Sequence, residues 1–581
     1  MSSSPSEIYA ERHKHRTGLA ASLDSNHRAV ASYRLLTVLI LVVGVLAYPG
    51  VWLLLPGLVF AALMRHHSGL SRRLETARRA AQFYLDGSLR LQGEWPGRGV
   101  TSAFVDPQHA YARDLDLFGK GSLYDWLCRA RTRAGQEMLA SWLSGPAPTE
   151  QVARRQQAAQ ELQERLDLRE DLAALQGHRQ PLKGSSPAEW ADRPLQLRSR
   201  GLRLLAGILA LMGWLALAYW ILRYDPLPLG LALIVQQAFL RVVGAPIGEV
   251  LRSTETIRGE CLVLGAYLRR LEVESVQSPL LSELWKPLLD RPSRALARLE
   301  GVMDTLESRR NPMLAPFFAL SLAPLQLAYE VENWRARHAQ NLKKWLASLA
   351  QIDALLSFAS LAWEHPDYAW PALEKPGSGV RARQLGHPLL GSECICNDLD
   401  LTSVRLWIVS GSNMSGKSSL LRALGCNVVL AMAGGPVRAE EMSLEPVRIA
   451  ASIQVGDSLM AGISRFYAEI LRLRQVLEEA PGETRLLYLL DEILGGTNSQ
   501  DRLVGAQAVI RRLFELNGLG LVTTHDLALT ELVKELGPAS ANVHFEDQLH
   551  DGVMSFDYQL RPGVVARSNA LELMRAVGLQ V

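Results

Sequence analysis

The stretch Gly411-Ser-Asn-Met-Ser-Gly-Lys-Ser418 decides the fold of the last third of this 581-residue chain. The apolar run Leu406-Trp-Ile-Val-Ser410 precedes it and predicts a buried strand, and Ser419-Leu-Leu-Arg-Ala-Leu424 predicts the start of a helix. A G-x-x-x-x-G-K-[ST] pattern between a strand and a helix is typical of a phosphate-binding loop. Its glycines let the backbone approach phosphates, and N–H groups at the helix N-terminus attract negative charge. We therefore predict an α/β domain that binds ATP.

The loop supplies most of the predicted nucleotide site. The residues expected to contact ATP are Gly411, Ser412, Asn413, Met414, Ser415, Gly416, Lys417, Ser418 and Ser419. Lys417 is expected to reach the β- and γ-phosphates, and the Ser418 hydroxyl is expected to bind Mg²⁺. The predicted cofactors are therefore ATP and Mg²⁺.

Two further apolar runs end in residues suited to ATP hydrolysis. Leu486-Leu-Tyr-Leu-Leu490 leads to Asp491, a candidate Mg²⁺ ligand, and to Glu492, a candidate general base for the attacking water. Residues 519–524 predict another strand, which ends beside His525. In this setting we interpret His525 as a sensor of the γ-phosphate; the alternative is an ordinary structural histidine.

The chain also carries two stretches with the composition of membrane segments. Residues 35–64 contain no charge, and as one helix they would extend about 45 Å, beyond the roughly 30 Å hydrocarbon core. Pro49, Gly50 and Pro56 interrupt them, and arginines lie on both sides, which favours a hairpin with both ends in the cytoplasm. A single tilted and kinked span is the alternative.

Residues 204–222 and 226–240 form a second apolar pair, separated by Arg223, Tyr224 and Asp225. The same charge rule predicts a second hairpin, and the alternative is a pair of buried soluble helices. The five cysteines are odd in number and scattered, which favours a reducing cytosol over a disulfide framework. The expected location is the inner cell membrane, with the ATPase domain in the cytoplasm.

The remaining sequence predicts helices over residues 113–200 and 244–365, where apolar residues recur at spacings of three and four. The arginines at 129, 131, 133, 154 and 155 indicate either a solvated helix face or a surface that contacts phosphates. The predicted order is a basic segment at 1–34, a transmembrane hairpin at 35–64, a connector at 65–112, an all-α lever at 113–203 and 241–372 interrupted by a second hairpin at 204–240, and a P-loop ATPase domain of ABC type at 373–581.

Several motifs resemble the MutS family of mismatch-repair ATPases. They are the phosphate loop with Asn413-Met414, Asp491-Glu492-Ile-Leu-Gly-Gly-Thr-Asn-Ser-Gln-Asp-Arg502, Gly386-His-Pro-Leu389, Gly462-Ile-Ser-Arg-Phe-Tyr-Ala-Glu469 and Phe556-Asp-Tyr-Gln-Leu-Arg-Pro-Gly563. Leu115-Asp-Leu-Phe-Gly-Lys-Gly-Ser-Leu123 and Thr132-Arg-Ala-Gly135 are similar to the start of that family's lever domain. No mismatch-reading domain and no Phe-x-Glu wedge is recognisable, and membrane-like stretches are foreign to the repair enzymes.

The resemblance implies a homodimer in which Ser464 contacts the γ-phosphate of the nucleotide bound by the partner. Two functions remain open. The first is a membrane-anchored ATPase related to DNA mismatch repair that binds DNA through the lever. The alternative is a membrane-bound mechanical ATPase that acts on protein or lipid partners without DNA. An ABC-type transporter fits poorly, because short hairpins without intramembrane charge offer little room for a substrate pathway.

Overall fold

The computed structural model describes most of the chain. The described residues are 4–47, 50–99, 104, 106, 108–175, 186–197, 199–309, 314–391, 393–412, 414–454, 465–495, 498–550 and 553–565. Asn413 and Ser464, both predicted to contact nucleotide, lie outside them.

The N-terminal region is a long antiparallel pair of helices, α1 (Pro5–Ala47) and α2 (Leu54–Leu91), joined through a 3-10 turn at Val51–Leu53. At the open end of this pair the Tyr9 and Tyr84 rings lie 5.7 Å apart. At the closed end Gly44 is required, because a Cβ there would lie 2.4 Å from the Trp52 ring. The boundaries predicted at residues 34 and 64 therefore fall within continuous helices.

An all-α region follows and contains two further long helices, α9 of 45 residues and α13 of 42 residues. Its helices are α3 (Leu123–Leu127), α4 (Arg133–Leu143), α5 (Thr149–Gln163), α6 (Leu166–Leu175), α7 (Pro187–Asp192), α8 (Arg200–Arg223), α9 (Leu227–Leu271), α10 (Pro279–Trp285), α11 (Pro292–Ser308), α12 (Ala315–Leu320) and α13 (Ala323–Glu364). The hydroxyls of Ser122, Thr132 and Ser199 accept hydrogen bonds from backbone N–H groups at the starts of α3, α4 and α8, as expected of N-caps.

Four described helices have the length and hydropathy of a membrane span: Pro5–Ala47, Gly201–Arg223, Leu227–Leu271 and Ala323–Glu364. In the last of these, 83% of the apolar window is buried within the protein, against 11%, 22% and 11% in the other three. The most apolar window of α13 therefore lies in the protein core, whereas the most apolar windows of α1, α8 and α9 are largely exposed.

The C-terminal region is α/β. Its strands are β1 (Ala372–Leu373), β2 (Val380–Leu385), β3 (Asn397–Asp400), β4 (Leu406–Ser410), β5 (Glu441–Leu444), β6 (Val447–Ser452), β7 (Arg485–Asp491), β8 (Leu519–Thr524), β9 (Ser540–His550) and β10 (Val553–Pro562). Its helices are α14 (Lys417–Ala433), α15 (Arg465–Glu479), α16 (Ser499–Glu515) and α17 (Leu532–Leu536).

Two sheets build this domain, a four-stranded one in the order β1-β5-β2-β3 and a six-stranded one in the order β10-β9-β4-β8-β7-β6. In the larger sheet β4, β6, β7, β8 and β9 are parallel, and β10 is antiparallel. All residues of β4 and β8 are buried, as expected of central parallel strands covered on both faces. The α/β domain after an all-α region confirms that part of the predicted fold class, and the transmembrane hairpins stay a prediction.

Candidate nucleotide site

The phosphate loop connects β4 to α14 at the carboxyl edge of the large sheet, where ligands bind in open α/β folds. Gly416 precedes α14 with a φ of +103°, a conformation that favours glycine. A Cβ at this position would also lie 3.0 Å from the Tyr558 ring. Gly416 therefore lets the chain turn into the helix while the Tyr558 ring lies against it.

Lys417 points back into the loop that it is predicted to serve. Its Nζ donates hydrogen bonds to the carbonyl oxygens of Gly411 at 2.9 Å and Ser412 at 2.8 Å. It also lies 3.3 Å from Glu492 Oε1, and its side chain is only 4% exposed. A buried ammonium inside the loop is the charge that a phosphate needs.

Two serine hydroxyls of the loop indicate whether the site fits an anion, because their hydrogen-bond partners can be checked. Ser412 Oγ and Ser415 Oγ are buried and have no hydrogen-bond partner among the described residues. Buried hydroxyls without partners are costly, and phosphate oxygens would supply acceptors for them. The loop therefore fits a polyphosphate better than it fits a closed structural turn.

The predicted metal ligands lie together. Ser418 Oγ donates a 2.6 Å hydrogen bond to Asp491 Oδ2, and Thr523 Oγ1 donates to the other carboxylate oxygen. Parallel pairing explains the contact, because β8 lies between β4 and β7 and their carboxyl ends meet at one edge. Ser418 and Asp491 would hold Mg²⁺ here. Sequence reasoning assigned no role to Thr523, although the Thr-Thr pair before His525 was visible.

Glu492 and His525 face each other at the same edge. Glu492 Oε2 lies 3.5 Å from His525 Nδ1, and both side chains are partly exposed, at 34% and 48%. Glu492 has a φ of +46°, a left-handed backbone conformation that is uncommon outside glycine and frequent at functional sites. Its N–H donates to Thr523 Oγ1 at 3.1 Å, which fixes this turn.

A cavity of about 270 Å³ opens beside the loop at Gly416 and Ser419. Its lining is mostly apolar, includes Phe545 and Tyr558, and contains His387. Burial, followed by Arg422 and Arg438, lowers the pKa of His387 to about 4. Its neutral Nδ1 accepts the Leu389 N–H at 3.2 Å, which a protonated ring could not do. Apart from Glu393, the cavity offers an aromatic base uncharged and mostly apolar side chains next to the phosphate loop.

Asp114, which precedes α3, contacts residues on both sides of the segment that contains Ser464. Its carboxylate accepts N–H groups of Ile453 at 2.6 Å and Gln454 at 2.9 Å, before that segment. It also accepts Arg472 Nη2 at 2.6 Å, from α15 after the segment. Sequence reasoning gave Asp114 no role, and no local signal marks it.

Another contact connects α15 to the turn that follows Glu492. The Glu469 carboxylate, buried in α15, accepts the N–H of Leu494, two residues after Glu492. Glu469 is one of the residues on which the resemblance was based. The described part of the chain therefore brings together Lys417, Ser418, Asp491, Glu492 and His525, and fixes both flanks of residues 455–464.

Comparison with known proteins agrees with this geometry. Residues 407–580 match the family described as MutS domain V. A stretch of 250 residues, 42% of this chain, is 33% identical to the DNA mismatch repair protein MutS 2 of Halobacterium salinarum. A stretch of 257 residues, 43% of this chain, is 32% identical to the DNA mismatch repair protein MutS of Listeria innocua. These stretches span 28% and 29% of the relatives, so the chain matches less than a third of their length. The C-terminal domain of this chain is therefore similar to domain V of the MutS family.

Proposed function

We propose that this protein is a membrane-anchored ATPase of MutS type, which binds ATP with Mg²⁺ and hydrolyses it. The observation that carries the proposal is the contact between Ser418 and Asp491, with Glu492 next to Asp491 and Lys417 next to Ser418. A hydroxyl, two carboxylates and an ammonium lie together at the carboxyl edge of the large sheet. These are the groups that phosphoryl transfer needs. The match of residues 407–580 to MutS domain V supports the same activity.

Each residue has a defined part in this proposal. Lys417 leaves the carbonyl oxygens of the loop and pairs with the phosphates, which frees Glu492 from the ammonium. Glu492 then accepts a proton from the attacking water. His525, in contact with Glu492, is placed to respond to the loss of the γ-phosphate. Ser418 and Asp491 would hold Mg²⁺, which would supply positive charge to the phosphate oxygens.

Glu492→Gln tests this assignment. The amide retains the size of the side chain but cannot take a proton, so we expect ATP binding within about threefold of wild type and turnover lower by about 10²–10⁴-fold. Glu483→Gln, an exposed glutamate of the same domain, is the matched control and should change neither quantity. Normal turnover by Glu492→Gln would remove Glu492 from its role.

The proposed active form is a homodimer joined through the ATPase domains. Each chain has one phosphate loop and one segment around Ser464, and the MutS resemblance implies that this segment contacts the partner's nucleotide. Asp114 and Glu469 support the idea by fixing the flanks of the segment. Light scattering of Glu492→Gln protein with ATP should give the mass of two chains. A monomer under saturating ATP would contradict the proposal.

Membrane anchoring is supported by the exposed apolar ends of the helices. In the first hairpin, the uncharged residues 35–47 rise about 20 Å and residues 54–64 about 16 Å, and both lengths are shorter than a roughly 30 Å core. Its apolar side chains are exposed, for example Leu46 at 81% and Val51 at 80%, and its tip carries no charge. We propose that this hairpin dips into the bilayer. In α8, residues 204–222 rise about 28 Å and are long enough to cross. Recovery of the protein in the soluble fraction after membranes are washed at alkaline pH would refute anchoring.

DNA is the first candidate ligand, because the relatives are named DNA mismatch repair proteins. The arginines that suggested a phosphate-contacting surface are, however, mostly engaged. Arg129 is buried against Glu364, and Arg155 is buried over the Trp142 ring at 3.9 Å. This observation favours the second candidate, a mechanical ATPase that acts on protein or lipid partners.

Two more arginines of that set are paired at the surface. Arg133 lies 2.8 Å from Glu137, and Arg154 lies 2.5 Å from Glu283. ATP turnover measured in detergent with duplex, branched and single-stranded DNA, at two salt concentrations, separates the candidates. Salt-sensitive stimulation by any of these DNAs would support DNA binding. Equal rates with and without DNA, and no salt-sensitive affinity, would leave the mechanical ATPase.

A further inference from the structure

We propose that residues 314–329 form a third membrane-inserted segment, which enters the bilayer beside the second hairpin and leaves on the same side. This inference rests on the proposed membrane anchoring and extends it to a region that the sequence analysis assigned to the soluble lever. The segment comprises α12 (Ala315–Leu320) and the first turns of α13.

The charge pattern of this region is that of a membrane segment. Residues 311–329 contain no Asp, Glu, Lys or Arg, whereas Arg309 and Arg310 precede them and Glu330 follows. The run contains three prolines, Pro312, Pro316 and Pro324, and a left-handed turn at Leu322, with a φ of +49°, separates α12 from the first turns of α13. A broken apolar run with charged residues at both ends fits a re-entrant segment better than a span.

The break between α12 and α13 lies against α8, well inside its apolar run. Trp214 Nε1 donates to Ser321 Oγ at 3.2 Å, and the Trp214 and Phe317 rings stack at 6.0 Å. Gly213 makes this approach possible, because a Cβ there would lie 2.8 Å from Leu320 and 2.6 Å from Gln236.

The segment leaves at the level where α8 begins. Tyr329 Oη donates to the Ser199 carbonyl at 2.8 Å, and Arg203 forms an ion pair with Glu330. Trp214 lies eleven residues beyond Arg203, which corresponds to a rise of about 16 Å along α8, or about half of a 30 Å hydrocarbon core. The segment therefore reaches the middle of the bilayer and returns.

Gln236 makes the kind of polar contact that an environment without water requires. It is 2% exposed within a run of exposed apolar residues, and its Nε2 donates to the carbonyls of Leu209 at 2.8 Å and Leu320 at 3.2 Å. The Leu320 carbonyl belongs to the broken end of α12, which has lost its helical partner. At membrane depth such groups must be satisfied within the protein, and here a side chain does so.

The surface around the segment favours lipid as its occupant. Phe317 is 55% exposed and Leu314 is 39% exposed, and they continue the apolar surface of α8, where Leu211 is 60% and Leu215 is 61% exposed. Within the described residues, 204–222 and 314–329 carry no Asp, Glu, Lys or Arg. Acyl chains match this chemistry.

Fluorescence quenching in proteoliposomes tests the inference on the full chain. In a background with Cys394→Ser and Cys396→Ser, the single-site variants Phe317→Cys, Leu215→Cys and Ala297→Cys carry an environment-sensitive dye. Phosphatidylcholine labelled with a nitroxide midway along its acyl chain probes lipid contact, and iodide probes water. Leu215 in α8 serves as the membrane reference, and the exposed Ala297 in α11 as the aqueous reference.

We expect the dye at 317 to match the dye at 215, with lipid quenching at least twofold above that at 297 and weak iodide quenching. If 317 instead matches 297 while 215 is quenched by lipid, the inference is wrong and membrane anchoring by α8 stands. If 215 also matches 297, anchoring by the second hairpin fails, and the inference fails with it.

A second pair of variants tests the polar contact at the break. Gln236→Leu removes the donor to Leu320, so we expect a lower thermal midpoint in detergent and at least twofold more iodide quenching at 317. Gln237→Leu changes an exposed neighbour and should leave both unchanged. Equal behaviour of the two variants would overturn the role given to Gln236.

Discussion

Buried cations at two sites of this protein are neutralised in opposite ways. At the nucleotide site, Lys417 is held by two carbonyl oxygens and by Glu492, whose side chain is 34% exposed. At the junction of the N-terminal hairpin with α13, Arg90 and Arg129 both contact Glu364, which is 2% exposed. Burial alone would raise the pKa of Glu364, but the two arginines outweigh it and hold that pKa well below its usual range.

The difference separates a permanent contact from an exchangeable one. Glu364 also accepts Tyr9 Oη at 3.0 Å, so its charge is satisfied by α1, α2 and the segment before α4. Lys417 has partners that a phosphate can replace, since carbonyl oxygens carry only partial charge. We infer that the contacts of Glu364 hold structural elements together permanently, whereas the contacts of Lys417 can be exchanged for a ligand.

Glu364→Gln is expected to have the largest effect on stability. The change leaves Arg90 and Arg129 without a counter-charge in a buried site, which typically costs about 3–5 kcal/mol. Denaturant unfolding in detergent measures it, and ATP affinity of the folded protein should stay within about threefold of wild type. The exposed pair Arg512–Glu515 supplies the control, because Glu515→Gln should change stability by less than about 0.5 kcal/mol. A Glu364→Gln effect as small as the control would break the comparison.

Lys417→Ala should show the reverse pattern. Loss of the ammonium removes charge-assisted bonds to the phosphates, and we expect ATP affinity to fall at least about 100-fold, near 3 kcal/mol. Stability without nucleotide should change by less than about 1 kcal/mol, because the loop carbonyls and Glu492 can accept water. Equilibrium binding of a fluorescent ATP analogue measures the affinity. Lys534→Ala, at an exposed ion pair, is the control. Unchanged affinity would refute the phosphate-loop assignment.

His387 offers a third case, a buried base kept neutral instead of paired. Its pKa of about 4 lies below the unfolded value near 6.5, so the unfolded chain binds the proton more readily. Stability is then complete above about pH 6.5 and falls as the pH drops towards 4, by at most about 3 kcal/mol. Unfolding at several pH values, compared with His387→Gln, measures this contribution. Equal pH dependence of the two proteins would exclude it.

The smallest effect is expected at a pair that is neither buried nor near nucleotide. Arg133 and Glu137 lie 2.8 Å apart in α4 with side chains at least half exposed. Arg133→Ala should change stability by no more than about 0.5 kcal/mol and leave turnover unaltered. A larger loss of DNA-stimulated turnover would instead show that this arginine contacts DNA, and would sharpen the choice between the two proposed functions.

Local signals predicted the centre of the nucleotide site well. The strands expected at 406–410 and 519–524 occur at those residues, and the apolar run at 486–490 lies within β7. Each is a short buried apolar run bounded by polar residues, which is visible in a few letters. The contact of Ser418 with Asp491 then follows from parallel pairing.

The parts that escaped prediction depend on distant partners or broken runs. Arg129 was read as a surface or phosphate-contacting residue, but it is paired with Glu364, which lies 235 residues further along the chain. Residues 314–329 lie within the predicted lever, and Pro316 and Pro324 interrupt the uncharged run on which the proposed membrane segment rests. Asp114 shows its importance only through Ile453, Gln454 and Arg472.

Helix α13 has a consequence for the distance over which nucleotide can act. Its 42 residues extend about 63 Å, from the turn beside Trp214 to Glu364, eight residues before β1 of the ATPase domain. A rigid tilt of about 5° at the ATPase end displaces the other end by about 5 Å, close to one helical turn. A small rotation at the ATPase end of α13 can therefore shift its distant end by about the width of a lipid chain.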